Sequence, residues 1–87
     1  MYKREVTVQN ETGLHARPAS IFVKEANKYT SNISISIGQK IFNAKSIMGI
    51  LSAGIKKGTK IEISADGKDS KEAVDNLVSL VESNFGE

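Results

Sequence analysis

The 87 residues contain no cysteine and no tryptophan, one proline and a single histidine. Without thiols there are no disulfides, no thiolate nucleophile and no cysteine-ligated zinc. One imidazole, with the acids scattered along the chain, excludes a histidine-rich metal site, so neither metal nor cofactor is expected. Aromatic residues make up 6% of the chain, and the basic part lacks the aromatic platform of a single-strand nucleic-acid binder. No apolar run approaches the roughly 20 residues of a membrane span, and no signal peptide precedes the first strand-like segment. What is present, 39% hydrophobic and 25% charged residues, is the composition of an ordinary globular protein, with length for one domain over residues 1–87. The expectation is a cytoplasmic monomer that contacts neither membrane nor nucleic acid directly.

Charge is more informative in its distribution than in its sum of +2. Residues 12–61 hold eight bases against Glu25 alone, whereas residues 62–87 hold Lys68 and Lys71 against seven acids. A basic middle followed by an acidic end gives a dipolar surface, and the basic part favours an acidic partner or an anionic group. A −5 terminal segment makes the chain poor at coating nucleic-acid phosphates.

Hydrophobic periodicity switches between two and 3.6 residues. Tyr2–Val8 reads as a strand and residues 10–13 as a loop. Residues 16–29 carry Ala19, Phe22, Val23 and Ala26 as a helical stripe. Asn32–Ile37 alternates, and Gly38-Gln39 predicts a tight turn into a strand over Lys40–Asn43. Ser46 is a good N-cap for a short helix containing Ile47, Met48, Ile50 and Leu51. Lys60–Ala65 is a further strand. Asp69-x-x-Glu72 resembles a capping box opening a long helix with Ala73, Val74, Leu77, Leu80, Val81 and Phe85 inward. The order βαββαβα, with strands polar on one face, predicts an α+β open-faced sandwich: a four-stranded antiparallel sheet covered on one side by three helices. The first helix is expected to cross between parallel strands that have another strand between them.

The segment Thr12 to Ser20 gathers chemistry where a loop enters the first helix. Pro18 fits the first turn, and the amides of Ala16 and Arg17 remain free for an anion. Arg17 adds a guanidinium suited to phosphate oxygens. His15, just before these donors, supplies the side chain most readily neutral and nucleophilic near pH 7. The helix dipole stabilises an attached phosphoryl group there. A lone histidine before a helix also serves as a loop or capping residue, Arg17 as a solvated one, and both readings stand at this point. Gly49-x-x-x-x-Gly54 imitates the start of a P-loop, but Ile55 occupies the lysine position.

Gly13-Leu14-His15-Ala16-Arg17-Pro18 resembles the active-site signature of the HPr family, the histidine-containing phosphocarriers of the bacterial sugar phosphotransferase system. Lys45-Ser46-Ile47-Met48-Gly49-Ile50 resembles the family's second signature, around a regulatory serine. The likeness spans essentially the whole chain. It implies that His15 accepts a phosphoryl group on Nδ1 from phosphorylated Enzyme I, charged by phosphoenolpyruvate, and passes it to a histidine of a permease IIA domain. It also implies that Arg17 neutralises phosphoryl charge and that the Ala16 and Arg17 amides hold its oxygens. Ser46 would be the target of a kinase/phosphorylase and, when phosphorylated, the link to a catabolite-control repressor, as in mainly Gram-positive members. Thr12, Ser20, Lys24, Lys45, Ile47, Met48 and Leu51 would form the docking surface. Gln39 and Ala53 depart from the family's commoner glycine and apolar residue. Purely regulatory paralogues in the family lack the active-site histidine, so His15 argues against that role here.

Overall fold

The computed structural model describes residues 1–86. Its elements are β1 (Tyr2–Thr7), α1 (Ala16–Ala26), β2 (Asn32–Ile37), β3 (Lys40–Asn43), α2 (Ile47–Ser52), β4 (Lys60–Asp66), α3 (Ser70–Glu82) and a closing 3-10 turn (Asn84–Gly86). The four strands form one sheet ordered β1-β4-β2-β3 with every neighbouring pair antiparallel. β1 and β2 are therefore parallel with β4 between them, the split crossover that the sequence predicts.

Alternation explains how the sheet acquires two unlike faces. Cross-strand pairs Val6↔Ile61, Ile35↔Ile63 and Ile33↔Ala65 place apolar side chains on the helix side. The same register sets Glu5 beside Glu62, and Glu62 and Ser64 beside Ser36 and Ser34, on the open side. Against the apolar face α1 buries Ala19, Phe22 and Ala26, and α3 buries Ala73, Val74, Leu77, Val78 and Val81. The short α2 packs on α1 and β3 and buries Ile50 alone. Gly38, with φ +60°, opens the two-residue turn between β2 and β3, a conformation that suits glycine.

The structure revises several sequence expectations. α1 stops at Ala26 instead of reaching Tyr29, because residues 27–30 turn. There Tyr29 ties the helices together: its hydroxyl donates to Glu25 Oε2 at 2.9 Å and accepts from Asn76 Nδ2 at 2.6 Å. Phe85 is buried, but not on α3. The helix ends at Glu82, and Asn84 and Phe85 adopt left-handed φ values of 56° and 58° that turn the ring back inward. Leu80 is only half-buried, while Val78, absent from the expected inward face, is buried. Asp75 of α3 is half-buried. Its carboxylate accepts from Tyr2 Oη and Arg4 Nη1, both at 3.1 Å, and from Lys71 Nζ at 2.9 Å, so it latches β1 to α3.

Asp69 forms no capping box, since its side chain makes no cap hydrogen bond to α3. The carboxylate instead accepts from the amides of Thr30 at 2.9 Å and Ser31 at 3.0 Å, and from the Ser31 hydroxyl. Two amides and a hydroxyl distant in sequence outcompete the local cap. The Ser31 hydroxyl and the Thr30 amide hold the Asp69 carboxyl at about 2, below its ordinary 3.8. A lowered carboxyl pKa contributes stability that is complete above about pH 4 and fades as pH falls through 2. Asp69→Asn is therefore expected to flatten the loss of stability between those values, read from urea midpoints against pH. An unchanged acid profile would remove this role.

Candidate functional site

The site is built outward from the loop that enters α1. Asn10, 5% exposed, donates through Nδ2 to the Gly13 carbonyl at 2.8 Å and the Thr12 hydroxyl at 3.3 Å. Gly13 N–H returns to the Asn10 carbonyl at 3.1 Å, closing the turn with Gly13 at φ +61°. Leu14 plugs into the core, and its amide donates to the Ile55 carbonyl at 3.0 Å. His15 then stands between a buried anchor and a helix.

His15 is the N-cap of α1 in extended backbone, φ −83° and ψ −170°, and its imidazole makes no capping hydrogen bond. Capping falls to its backbone: the carbonyl accepts from Ala19 N–H at 2.8 Å. The side chain is left exposed and uncommitted. The Ala16 and Arg17 amides have no hydrogen-bond partner among the described residues, and buried Pro18 has no N–H to offer. A first turn with free amides carries partial positive charge. Arg17 is exposed and joins no ion pair among the described residues. The arrangement sets a nucleophilic side chain, two amide donors and a guanidinium within three consecutive residues. Chemically it can accept an anionic group on nitrogen and stabilise its oxygens.

The other expected residues divide. Arg17, Ser20 and Lys24, at i, i+3 and i+7 of α1, are all exposed and share one face. Thr12 is exposed in the loop. From α2, Ile47 is 37%, Met48 72% and Leu51 39% exposed while Ile50 is fully buried, so a short helix leaves three of its four large apolar side chains outside. Lys45, expected in the docking surface, is half-buried, and its ammonium donates to the Tyr29 carbonyl at 2.6 Å, beyond the end of α1. Ser46 caps α2, its hydroxyl accepting from Gly49 N–H at 3.1 Å, while the Ile47 and Met48 amides make no hydrogen bond among the described residues.

Two contributors escaped the sequence reading. Asn10 was marked only by its place before a turn-forming Gly, and the loop around Ile55 by nothing local at all. A Cβ on Gly13 would lie 2.3 Å from the Ile55 carbonyl oxygen and 2.8 Å from Lys56 Cα, so these two loops are packed backbone to backbone. Lys57 adds an ion pair to Glu11 at 2.9 Å across the same junction.

Comparison with known proteins agrees with this architecture. A family model described as "PTS HPr component phosphorylation site" matches residues 2–83. The HPr-like protein Crh of Halalkalibacterium halodurans is 45% identical over 82 residues, covering 94% of this chain and 98% of its own. The phosphocarrier protein HPr of Vibrio cholerae is 43% identical, with coverage of 94% and 96%. The crystal structure of HPr-C-His from Thermoanaerobacter tengcongensis superposes with TM-score 0.97 at 48% identity, covering 100% of this chain and 98% of that one. HPr from that organism has also been solved as a dimer, at TM-score 0.80 and full coverage of both chains. With the matched residues running from β1 through α3, the chain belongs to the HPr family of phosphotransferase-system phosphocarriers.

Proposed function

We propose that His15 is the phosphoryl acceptor. Nδ1 of the neutral imidazole attacks the phosphorus held by phosphorylated Enzyme I. The new N–P bond forms as the donor's bond breaks, and the donor keeps the electron pair. In the second half the acceptor nitrogen of a IIA domain takes the group and returns the imidazole. No oxidation occurs, and the work is positioning and charge neutralisation. Arg17 and the Ala16 and Arg17 amides supply the neutralisation. The observation that carries this reading is the uncommitted imidazole set directly before those free donors. Its test is reconstitution: phosphoryl flow from phosphoenolpyruvate to a purified IIA domain through Enzyme I should depend on this chain, and flow that is equal without it would refute the role.

Ser46 is the regulatory position in this reading, phosphorylated by a kinase/phosphorylase and then recognised by a catabolite-control repressor. A phosphate there meets the N-terminus of α2 and the free Ile47 and Met48 amides, so the fold tolerates it. Its charge lies beside the exposed apolar side chains of α2 and repels an acidic partner. Ser46→Asp is expected to slow acceptance from Enzyme I with the melting temperature nearly unchanged; equal acceptance rates would count against an electrostatic block. Ser46→Ala should cost about 1 kcal/mol of stability through the lost cap.

Likeness to Crh supports a second reading, a regulatory module working only through Ser46. The presence of His15 favours the carrier. Docking of partners is assigned to Thr12, Ser20, Lys24, Lys45, Ile47, Met48 and Leu51, and the working form to a monomer in the cytoplasm, which sedimentation at micromolar concentration checks against the dimeric alternative.

A further inference from the structure

Half of the eight cations in the basic middle segment are already engaged. Lys28 pairs with Glu25 at 3.0 Å, Lys57 with Glu11 at 2.9 Å and Lys60 with Glu5 at 4.0 Å, while Lys45 donates to the Tyr29 carbonyl at 2.6 Å. Arg17, Lys24, Lys40 and Lys56 are exposed and join no ion pair among the described residues. Arg17 and Lys24 share a face of α1, and Lys40 opens the edge strand β3. Lys56 lies elsewhere in the sequence, yet its Cα packs against Gly13, two residues before His15.

The backbone of Lys56 is held from several sides. Its amide donates to the Thr59 hydroxyl at 3.3 Å, and its carbonyl accepts from Thr59 N–H at 3.1 Å. The preceding Ile55 is buried and accepts from Leu14 N–H at 3.0 Å. Gly58 N–H and Thr59 carbonyl bond Val8 at 2.7 and 2.9 Å. A lysine on so constrained a backbone presents its charge from a fixed origin. Its neighbour Lys57 is drawn to Glu11, which leaves Lys56 as the cation of this loop with no ion pair among the described residues.

We infer that Lys56 is a docking cation for the phosphoryl-transfer face, recognising the acidic surface of the protein that delivers the phosphoryl group. The inference rests on the carrier reading above. The partner is an acidic protein face, because Arg17 and Lys56, whose backbones flank the His15 segment, are both positive and join no ion pair among the described residues, and like-charged surfaces are excluded by the same field. Lys56 acts by orienting and attracting the partner, so it is a positioning residue and not part of the chemistry.

The test is steady-state phosphorylation by purified Enzyme I and phosphoenolpyruvate, comparing wild type, Lys56→Glu, Lys56→Ala and Lys68→Glu. Lys68 precedes Asp69, the N-cap of α3 whose carboxylate accepts from Thr30 and Ser31 beyond the C-terminal end of α1, and its reversal imposes the same change in net charge. For Lys56→Glu the apparent KM should rise roughly three- to tenfold with kcat within about twofold, and the rise should shrink as salt goes from about 20 mM to about 500 mM. Lys56→Ala should show a smaller rise, and Lys68→Glu little. A Lys56→Glu KM equal to wild type, or a change that salt does not diminish, would overturn the inference alone. Failure of the wild type to be phosphorylated would overturn the carrier reading and this inference with it.

Discussion

His15→Ala takes up no phosphoryl group from Enzyme I and phosphoenolpyruvate, and it remains folded. Both halves of this expected result come from one feature of α1. The imidazole makes no hydrogen bond in the cap, and it is the His15 carbonyl that accepts from Ala19 N–H at 2.8 Å. Truncating an exposed side chain with no structural partner should change stability within about 0.5 kcal/mol. Loss of uptake should be complete, because the chain has one histidine and no cysteine to substitute for it. Intact mass before and after the reaction checks the first half and a urea titration the second. A variant that unfolds would show that His15 holds the loop; a folded variant that is still labelled would assign the acceptor elsewhere.

Gly13→Ala should produce the largest loss of stability among single changes near the site. At φ +61° the position is left-handed, and a side chain there is strained wherever it points. The added methyl would also meet the Ile55 carbonyl oxygen at 2.3 Å and Lys56 Cα at 2.8 Å, which are backbone atoms tied by the Leu14, Val8 and Thr59 hydrogen bonds. Strain and overlap together are expected to cost about 3 kcal/mol. Gly54→Ala isolates the strain: φ is +63°, yet nothing lies within 4 Å of its Cβ, so about 1 kcal/mol is expected. Urea denaturation of the two variants gives the comparison. Because the strained loop leads directly into His15, Gly13→Ala should also slow phosphoryl acceptance, whereas Gly54→Ala should leave it near wild type. Equal costs at the two glycines would contradict the backbone packing of Gly13 against Ile55 and Lys56.

What could be read without a structure was whatever is encoded locally. Ile33, Ile35, Ile61 and Ile63 alternate with polar neighbours, and Ala19, Phe22 and Ala26 recur at helical spacing, so the sheet and its crossover followed from period alone. The candidate site was equally legible, since His15, Arg17, Pro18 and the free amides lie in one contiguous segment. Features fixed by partners distant in the sequence were not. Asp69 has the spacing of a cap but spends its carboxylate on Thr30 and Ser31. Lys45 carries no local sign that its ammonium also donates to the Tyr29 carbonyl beyond α1. Phe85 continues a helical apolar pattern, yet two left-handed residues carry it into the core after the helix has ended. Lys56 has no local signal, and only the approach of its loop to Gly13 places it beside the site.

The central claim, that this chain carries a phosphoryl group on His15, is tested most directly by phosphorus NMR of the protein after reaction with Enzyme I and phosphoenolpyruvate. One equivalent of Nδ1-phosphohistidine, stable in base, lost in mild acid and absent from His15→Ala, is the predicted result. A phosphoserine signal, a signal that survives acid, or none at all from the folded wild type would contradict it.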